Sequence, residues 1–470
     1  MNSTPPDLTH EAHQPMDARG ILTLVTCVLA SSLAFIDSSV VNVGLPAIGR
    51  DMGGGHSGLQ WLIGGYLLPL SALLLLGGSL GDRYGRRRVL MVGILIFAVA
   101  SVVCGLAPNL STLIGARFTQ GVGAALLMPN SLAILGASFE GEKQGRAIGI
   151  WAAAAAGTGA GGPILGGWLI DTVSWRMIFF INIPLASAAV YLAWKYVEKD
   201  HRGGGKIPLD WLGALLATVG LGAITWALIS VTGPEGWSLD GFVGLLAGSA
   251  LLAVFLYWER TKGPTAMMPL ALFGSPGFTG LTLLTFLLYG ALGCLTILLP
   301  YVLIVASGYS STQAGAALLP IPLVLAVASP WLGALAGRYG TQPFLIVGPC
   351  IVGAGFLLLL RMGIDVVYWR DALPALGVIA IGLTCAVAPL TTAIFASVDK
   401  SHTGSASGLN NAIARTGGLV ATALLGQVLA YQGDALTRAF HWAVILSAVV
   451  CVAAGACALV LRRASTAQGK

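Results

Sequence analysis

Fourteen runs of mostly apolar residues follow one another along the chain, separated by short segments rich in Gly, Pro, Ser and charge. They lie near 20–43, 59–80, 88–107, 111–135, 146–170, 177–195, 209–230, 241–258, 278–305, 312–336, 343–361, 372–396, 405–430 and 438–461. A helix needs about 20 such residues to cross a bilayer. In hydrocarbon every backbone polar group must find its partner inside the chain. Each run is therefore expected to be a membrane-spanning helix. Period-2 alternation is absent, which excludes a β-barrel. No connection is long enough to hold a soluble domain. Apolar types make up 56% of the residues and charged types 9%, against about 25% charged in a soluble domain. Too few charges remain to cover a water-facing surface, and disorder requires the opposite balance.

The net charge is +6, from 25 basic and 19 acidic side chains. If the N-terminus is cytoplasmic, eighteen basic residues fall in inside segments, five fall outside, and Arg117 and Arg415 lie within spans. That bias fits the positive-inside rule. Both termini are thus expected in the cytoplasm, with the protein in the plasma membrane. The basic excess is spread over loops and gives no reason to expect nucleic acid. Residues 1–19 contain one basic side chain and read as a cytoplasmic tail, not a cleavable signal. Each of the seven cysteines falls inside an apolar run without metal-like spacing, as small buried hydrophobes do.

The segment Gly78-Ser79-Leu80-Gly81-Asp82-Arg83-Tyr84-Gly85 returns 255 residues later as Gly333-Ala334-Leu335-Ala336-Gly337-Arg338-Tyr339-Gly340. Gly145-x-Ala147-x-Gly149 and Leu165-x-Gly167 return 259 residues later, beginning at Gly404 and Leu424. Two parallel echoes at nearly one offset imply a duplicated bundle. The expected fold is an all-α integral membrane protein of two six-helix bundles plus two extra central helices. Its divisions are a tail at 1–19, the first bundle at 20–196, a linker with two helices at 197–277, the second bundle at 278–461 and a tail at 462–470.

Several motifs carry a family resemblance. They are Asp37-Ser-Ser-Val-Val-Asn-Val-Gly-Leu-Pro46, Gly78-x-Leu80-Gly81-Asp82-Arg83-x-Gly85-Arg86-Arg87, Arg117-Phe-Thr-Gln-Gly-Val-Gly-Ala124, Gly162-Pro163-Ile164-Leu165-Gly166-Gly167, Trp175-Arg-Met-Ile-Phe-Phe-Ile-Asn-Ile-Pro184, and Asn410-Asn411 with Arg415 and Gly417-Gly418. Over nearly the whole chain this set resembles the major facilitator superfamily, in particular its fourteen-helix drug/proton antiporters of the EmrB/QacA type. Two departures stand out: Thr158 where the longer fifth-helix pattern has glycine, and Gly337 where the first loop copy has Asp82. The resemblance implies a carrier, not an enzyme. It would expel small hydrophobic or cationic organic compounds (drugs, antibiotics, antiseptics) by alternating access, with a proton gradient as energy source and no cofactor or metal. Its partners would be a small-molecule substrate, protons and lipid, and whether an adaptor protein joins it stays open. Other readings are a dedicated exporter of an endogenous metabolite or lipid-like product, and a membrane sensor or channel.

Among the acids only Asp37 lies well inside a span, and an intramembrane acid is a functional candidate by default. At 1.5 Å per residue from Gly20, Asp37 lies about 25 Å along a core of roughly 30 Å. Arg117, in a helix entering from the opposite side, lies on the order of 10 Å from that same outer face. The two are expected to face one another or share a polar cavity. Burial and a nearby guanidinium act on a carboxyl group in opposite senses, so alternating them would load and release a proton. A fixed ion pair that only positions two helices is the competing reading. Arg415 either bonds backbone carbonyls or Asn411, or faces a central cavity and meets Asp37 or a substrate anion.

Gly78, Asp82, Arg83, Gly85 and Arg86 read as a gating latch, with topogenic charge as the plainer alternative. Gly162, Pro163, Gly166 and Gly167 read as a pliable seam or as close helix packing. Asn42, Trp61, Tyr66, Gln120, Asn130, Trp151, Tyr289 and Arg415 are candidates to line the substrate cavity, since aromatic and amide groups suit amphipathic or cationic molecules.

Overall fold

The computed structural model of the protein describes residues 17–139, 141–199, 209–232, 236, 238–263, 266–363, 365–398 and 403–459. Apart from 17–19, the tails expected at 1–19 and 462–470 lie outside the described residues. Among the described residues there is no strand. The first part contains α1 (Ala18–Met52), α2 (Gly55–Tyr84), α3 (Arg86–Gly105), α4 (Leu110–Ser138), α5 (Gly141–Thr172), α6 (Met177–Phe180) and α7 (Asn182–Tyr196). Next come α8 (Trp211–Val231) and α9 (Leu239–Lys262). The remainder contains α10 (Pro276–Val305), α11 (Ser311–Ala316), α12 (Pro320–Tyr339), α13 (Gln342–Leu358), α14 (Tyr368–Asp371), α15 (Leu373–Ala396), α16 (Thr403–Leu424), α17 (Gly426–Ala430) and α18 (Gly433–Cys457).

Among the described residues thirteen segments are long and apolar enough to cross a membrane, taking α6 with α7 and α11 with α12. The other expected span is α16 continued by α17, in which Asn410, Asn411 and Arg415 lower the mean hydropathy. Helix starts are fixed locally. Asn109, Asp210, Ser238, Ser275 and Ser310 each accept a bond from the backbone N–H three residues on, satisfying donors that a helix start leaves free. The break between α11 and α12 precedes Pro320 and Pro322, which supply no backbone N–H to continue the ladder.

The sequence repeat has a counterpart in packing. A β-carbon on Gly93 of α3 would stand 3.0 Å from the Gly123 carbonyl oxygen of α4, and one on Gly348 of α13 would stand 3.0 Å from that of Gly382 on α15. Gly348 and Gly382 follow Gly93 and Gly123 by 255 and 259 residues, the two offsets of the sequence echoes. Backbones approach this closely only where side chains are absent.

The two halves meet at one end. Ile36, Val40 and Leu45 of α1 share a continuous core with Leu288, Leu295 and Leu298 of α10 and Ala314 of α11. A β-carbon on Gly167 of α5 would lie 2.4 Å from the Ser311 carbonyl oxygen. Toward the other end α5 and α12 stand free of close neighbours, while α16 still meets α2 at Gly408 and Leu75. Gly145, Gly149, Gly157, Gly159 and Gly161 of α5, and Gly333 and Gly337 of α12, have nothing within 4 Å of a β-carbon position.

Candidate functional site

Asp37 and Arg117 are each 1% exposed and form a salt bridge, Arg117 donating to Asp37 Oδ2. Charges so deep persist only when paired and hydrogen-bonded, and here three further helices supply partners. Asp37 Oδ1 accepts from Gln120 Nε2 at 2.8 Å and from Asn182 Nδ2 at 3.3 Å. Arg117 Nη1 also donates to Gln120 Oε1 at 2.8 Å, and Nε donates to the Leu62 carbonyl at 3.3 Å. The guanidinium stacks over Tyr66, 4.3 Å from the ring centre, with Phe179 at 5.9 Å. Ser101 accepts from Gln120 at 2.7 Å and from Asn182 at 3.1 Å. A carboxylate, a guanidinium, two amides and a hydroxyl thus form one buried network across α1, α2, α3, α4 and α7, in which Asn182 Oδ1 has no partner among the described residues.

Sequence reasoning did not single out Ser101 or Asn182 as members. Gln120 belongs to this network and not to an open cavity. Tyr66 is also enclosed, its hydroxyl donating to the Ala34 carbonyl at 3.3 Å. Asn130 is 1% exposed and donates to Gly77 O at 2.9 Å and Leu126 O at 2.7 Å, so its amide is committed to the α2–α4 contact. Asn42 is buried on α1 without a side-chain hydrogen bond among the described residues.

A second group lies toward the space between the halves. Trp151 donates to Ser31 Oγ at 2.9 Å and meets Phe35 edge-on at 6.3 Å between centroids. The Arg415 guanidinium stands over the same Phe35 ring at 5.6 Å and within electrostatic reach of Tyr66 and Tyr289. Among the described residues Arg415 makes no hydrogen bond or ion pair. Phe35, Trp151, Tyr289 and Arg415 therefore bring aromatic faces and one cation together from both halves. Trp61 is half-buried on α2. A separate cleft of about 860 Å³ on the flank of the second half, bordered by Phe286, Leu424, Arg438 and Trp442, includes none of the eight candidate cavity residues.

The loop motif works differently from a helix N-terminal contact. Asp82 accepts from Arg86 Nε at 3.0 Å and Nη2 at 2.9 Å, while Arg86 Nη1 reaches the Ala133 carbonyl of α4 at 3.1 Å. Gly85, between α2 and α3, has φ 98°, which L side chains rarely adopt. In the second copy Arg338 is exposed and makes no ion pair among the described residues.

At the closed end Gly162 and Gly166 lie against α1, where β-carbons would come 2.4 Å from Ser39 Oγ and 2.4 Å from Val40 Cγ1. Pro163 offers its carbonyl to the opposite half, 2.2 Å from a β-carbon on Gly315. Asp171, one helical turn past Gly167, accepts from Ser311 N at 3.1 Å, Thr312 N at 2.8 Å and Thr312 Oγ1 at 2.6 Å. Gln60 Nε2 likewise donates across the seam to Thr422 O at 3.1 Å and Ala423 O at 2.8 Å.

Known proteins share this architecture. The chain matches the family model of the Major Facilitator Superfamily over residues 27–422 and 281–470. It is 34% identical over 424 residues to multidrug resistance protein Stp of Mycobacterium tuberculosis, spanning 88% of this chain and 77% of that one. To the methylenomycin A resistance protein of Bacillus subtilis it is 32% identical over 416 residues, 87% of this chain and 88% of that one. Its fold is similar, at a TM-score of 0.67 and 16% identity over 96% of this chain and 98% of the other, to a bacterial homolog of the human lysosomal transporter Spinster in an inward-facing, occupied conformation. With duplicated bundles, a sealed polar centre and a family match that spans both halves, this chain belongs to the Major Facilitator Superfamily.

Proposed function

We propose that the protein exports small hydrophobic or cationic organic compounds, drugs and antibiotics among them, across the cell membrane in exchange for protons. Alternating access moves the substrate, and no cofactor or catalysis takes part. The observation that carries this reading is the wholly buried Asp37–Arg117 pair with its amide and hydroxyl network. Asp37 is the group that gains and loses the proton, and Arg117 is the counter-charge that Asp37 releases on protonation. Resistance proteins among the relatives support the substrate class.

Substrate binds between residues 20–196 and 278–461, beside Phe35, Trp151, Tyr289 and Arg415. Both termini face the cytoplasm, as the distribution of basic residues favours. The closed end bearing Asp171 is then the outer face, and the separated end opens inward. Lipid covers the flanks, and nucleic acid takes no part in the cycle. The test is reconstituted protein under an imposed pH gradient, with a panel of hydrophobic cations. Wild type should show substrate-driven proton flux, and an Asp37→Asn variant with matched incorporation should lose it. Unchanged pH-driven export by that variant would overturn the coupling role.

A further inference from the structure

The helix pair α8–α9 contains a second buried acidic site. Glu259, near the end of α9, is 1% exposed, and Asp210, at the start of α8, is 7% exposed. Each has one outer oxygen fully occupied. Glu259 Oε2 accepts from the Met268 backbone N–H at 2.7 Å. Asp210 Oδ1 accepts from Gly213 N at 2.8 Å and from Trp258 Nε1 at 2.9 Å. The inner oxygens, Asp210 Oδ2 and Glu259 Oε1, are buried without any other donor. They point at the same spot between the two helices. Both crowd Gly213, where a β-carbon would lie 2.6 Å from Asp210 Oδ2 and 2.7 Å from Glu259 Oε1.

Two carboxylate oxygens cannot hydrogen-bond unless one of them carries a proton. Buried like charges at that separation repel strongly, and paired acids resolve the conflict by holding one proton between them. Among the described residues no cation takes that role, since neither Asp210 nor Glu259 is in an ion pair there. Helix α8 has no charged residue. On α9 Arg260 is exposed and the Lys262 ammonium lies over the Trp258 ring at 4.5 Å. Thr225 and Gly222 of α8 lie beside Gly64 and Leu68 of α2, so the helices run antiparallel and Asp210 lies toward the Tyr84 end. From α2, the charged groups at this end are Asp82, held by Arg86, and Arg83. From α16, the charged group is Arg415, beside Phe35.

We propose that Asp210 and Glu259 bind a single proton between them, forming an acid–carboxylate clasp separate from Asp37. The clasp ties the start of α8 to the end of α9 and, through Met268, to the segment that leads into the second half. Met268 and Met267 pack with Ala72 of α2, Ala217 of α8 and Phe255 of α9, so the clasp closes over a contact between the inserted helices and the first half. Loss of the proton sets two buried charges against each other and loosens that attachment. The site stands whether or not Asp37 carries protons.

The experiment uses the purified full-length protein in lipid nanodiscs. A proton held only in the folded state makes stability fall as pH rises through the site's titration, here by on the order of 2–4 °C in melting temperature. Glu259→Gln supplies a permanent donor to Asp210 and should flatten that dependence, as should Asp210→Asn. Infrared spectra of wild type should contain a protonated-carboxyl C=O band that disappears as pH rises. That band should persist in Asp37→Asn and be absent from Glu259→Gln. An unchanged pH slope in both amide variants would overturn the proposal. So would a wild-type protein lacking the band but stabilised at fixed pH by sodium, magnesium or calcium, since a metal ion would then join the carboxylates. If neither variant purifies, the wild-type band decides, and its absence where the protein is folded rejects the shared proton.

Discussion

Gly167 and Ser311 lie in backbone contact across the seam between the two halves, with only 2.4 Å between a β-carbon position on Gly167 and the Ser311 carbonyl oxygen. Gly161 lies on the same helix less than two turns away and has nothing within 4 Å. Gly167→Val should therefore hold the seam apart, while Gly161→Val should not. Overpacking of this kind costs about 1–3 kcal/mol, roughly a 5- to 150-fold shift away from the closed seam. Ser311, 6% exposed, reports it. In a background without other reactive thiols, Ser311→Cys should label slowly with an impermeant maleimide, and much faster when Gly167→Val is added. Equal labelling with and without Gly167→Val would mean the contact does not hold the halves together.

Asp171 should act on the same equilibrium more weakly. Its carboxylate receives two backbone N–H groups and one hydroxyl at the start of α11. Removing a helix cap costs about 0.5–2 kcal/mol. Asp171→Ala should accelerate Ser311→Cys labelling by roughly two- to thirtyfold, and Thr312→Val, which spares both backbone bonds, by less. The melting temperature should change little, because the cap joins two bundles that remain folded when parted. A Thr312→Val effect as large as that of Asp171→Ala would place the latch in the hydroxyl alone.

The parts of the site legible in the sequence are those whose chemistry is costly in hydrocarbon. A carboxylate and a guanidinium in apolar runs demand a partner, so Asp37 and Arg117 are conspicuous. Ser101 and Asn182 are not, because short polar side chains in spanning helices commonly bond their own preceding turn, as Thr26 does with Leu22 O and Ser71 with Leu67 O. Asp171 lies at a span end, where charge is ordinary, and its partners are 140 and 141 residues away. Asn130 shows the limit of the amide argument. Burial says that an amide needs acceptors, but only the structure says that Gly77 and Leu126 supply them, leaving none of its N–H donors for a substrate. Thirteen of the fourteen expected spans are long and apolar enough among the described residues, and the one over 405–430 is not, because Asn410, Asn411 and Arg415 lower its hydropathy. Three of the expected spans are broken, into α6 and α7, α11 and α12, and α16 and α17.

The glycines of the loop motif separate by what stands beside them. A β-carbon on Gly78 would meet Pro129 Cβ at an ordinary 3.7 Å, whereas one on Gly81 would fall 1.6 Å from Asn130 Oδ1. Gly81→Ala must push the Asn130 amide from the Gly77 carbonyl, leaving a buried acceptor unpaired at a cost of about 1–3 kcal/mol. Gly85→Ala meets a different obstacle, the positive φ, worth about 1–3 kcal/mol of strain. Thermal unfolding should therefore rank Gly78→Ala near wild type, with Gly81→Ala and Gly85→Ala several degrees lower. Adding Asn130→Ala should relieve Gly81→Ala, because the clash leaves with the amide, and should do nothing for Gly85→Ala. If Gly81→Ala melted with Gly78→Ala, or if Asn130→Ala rescued neither, the α2–α4 contact would not be the reason the motif has glycine at position 81.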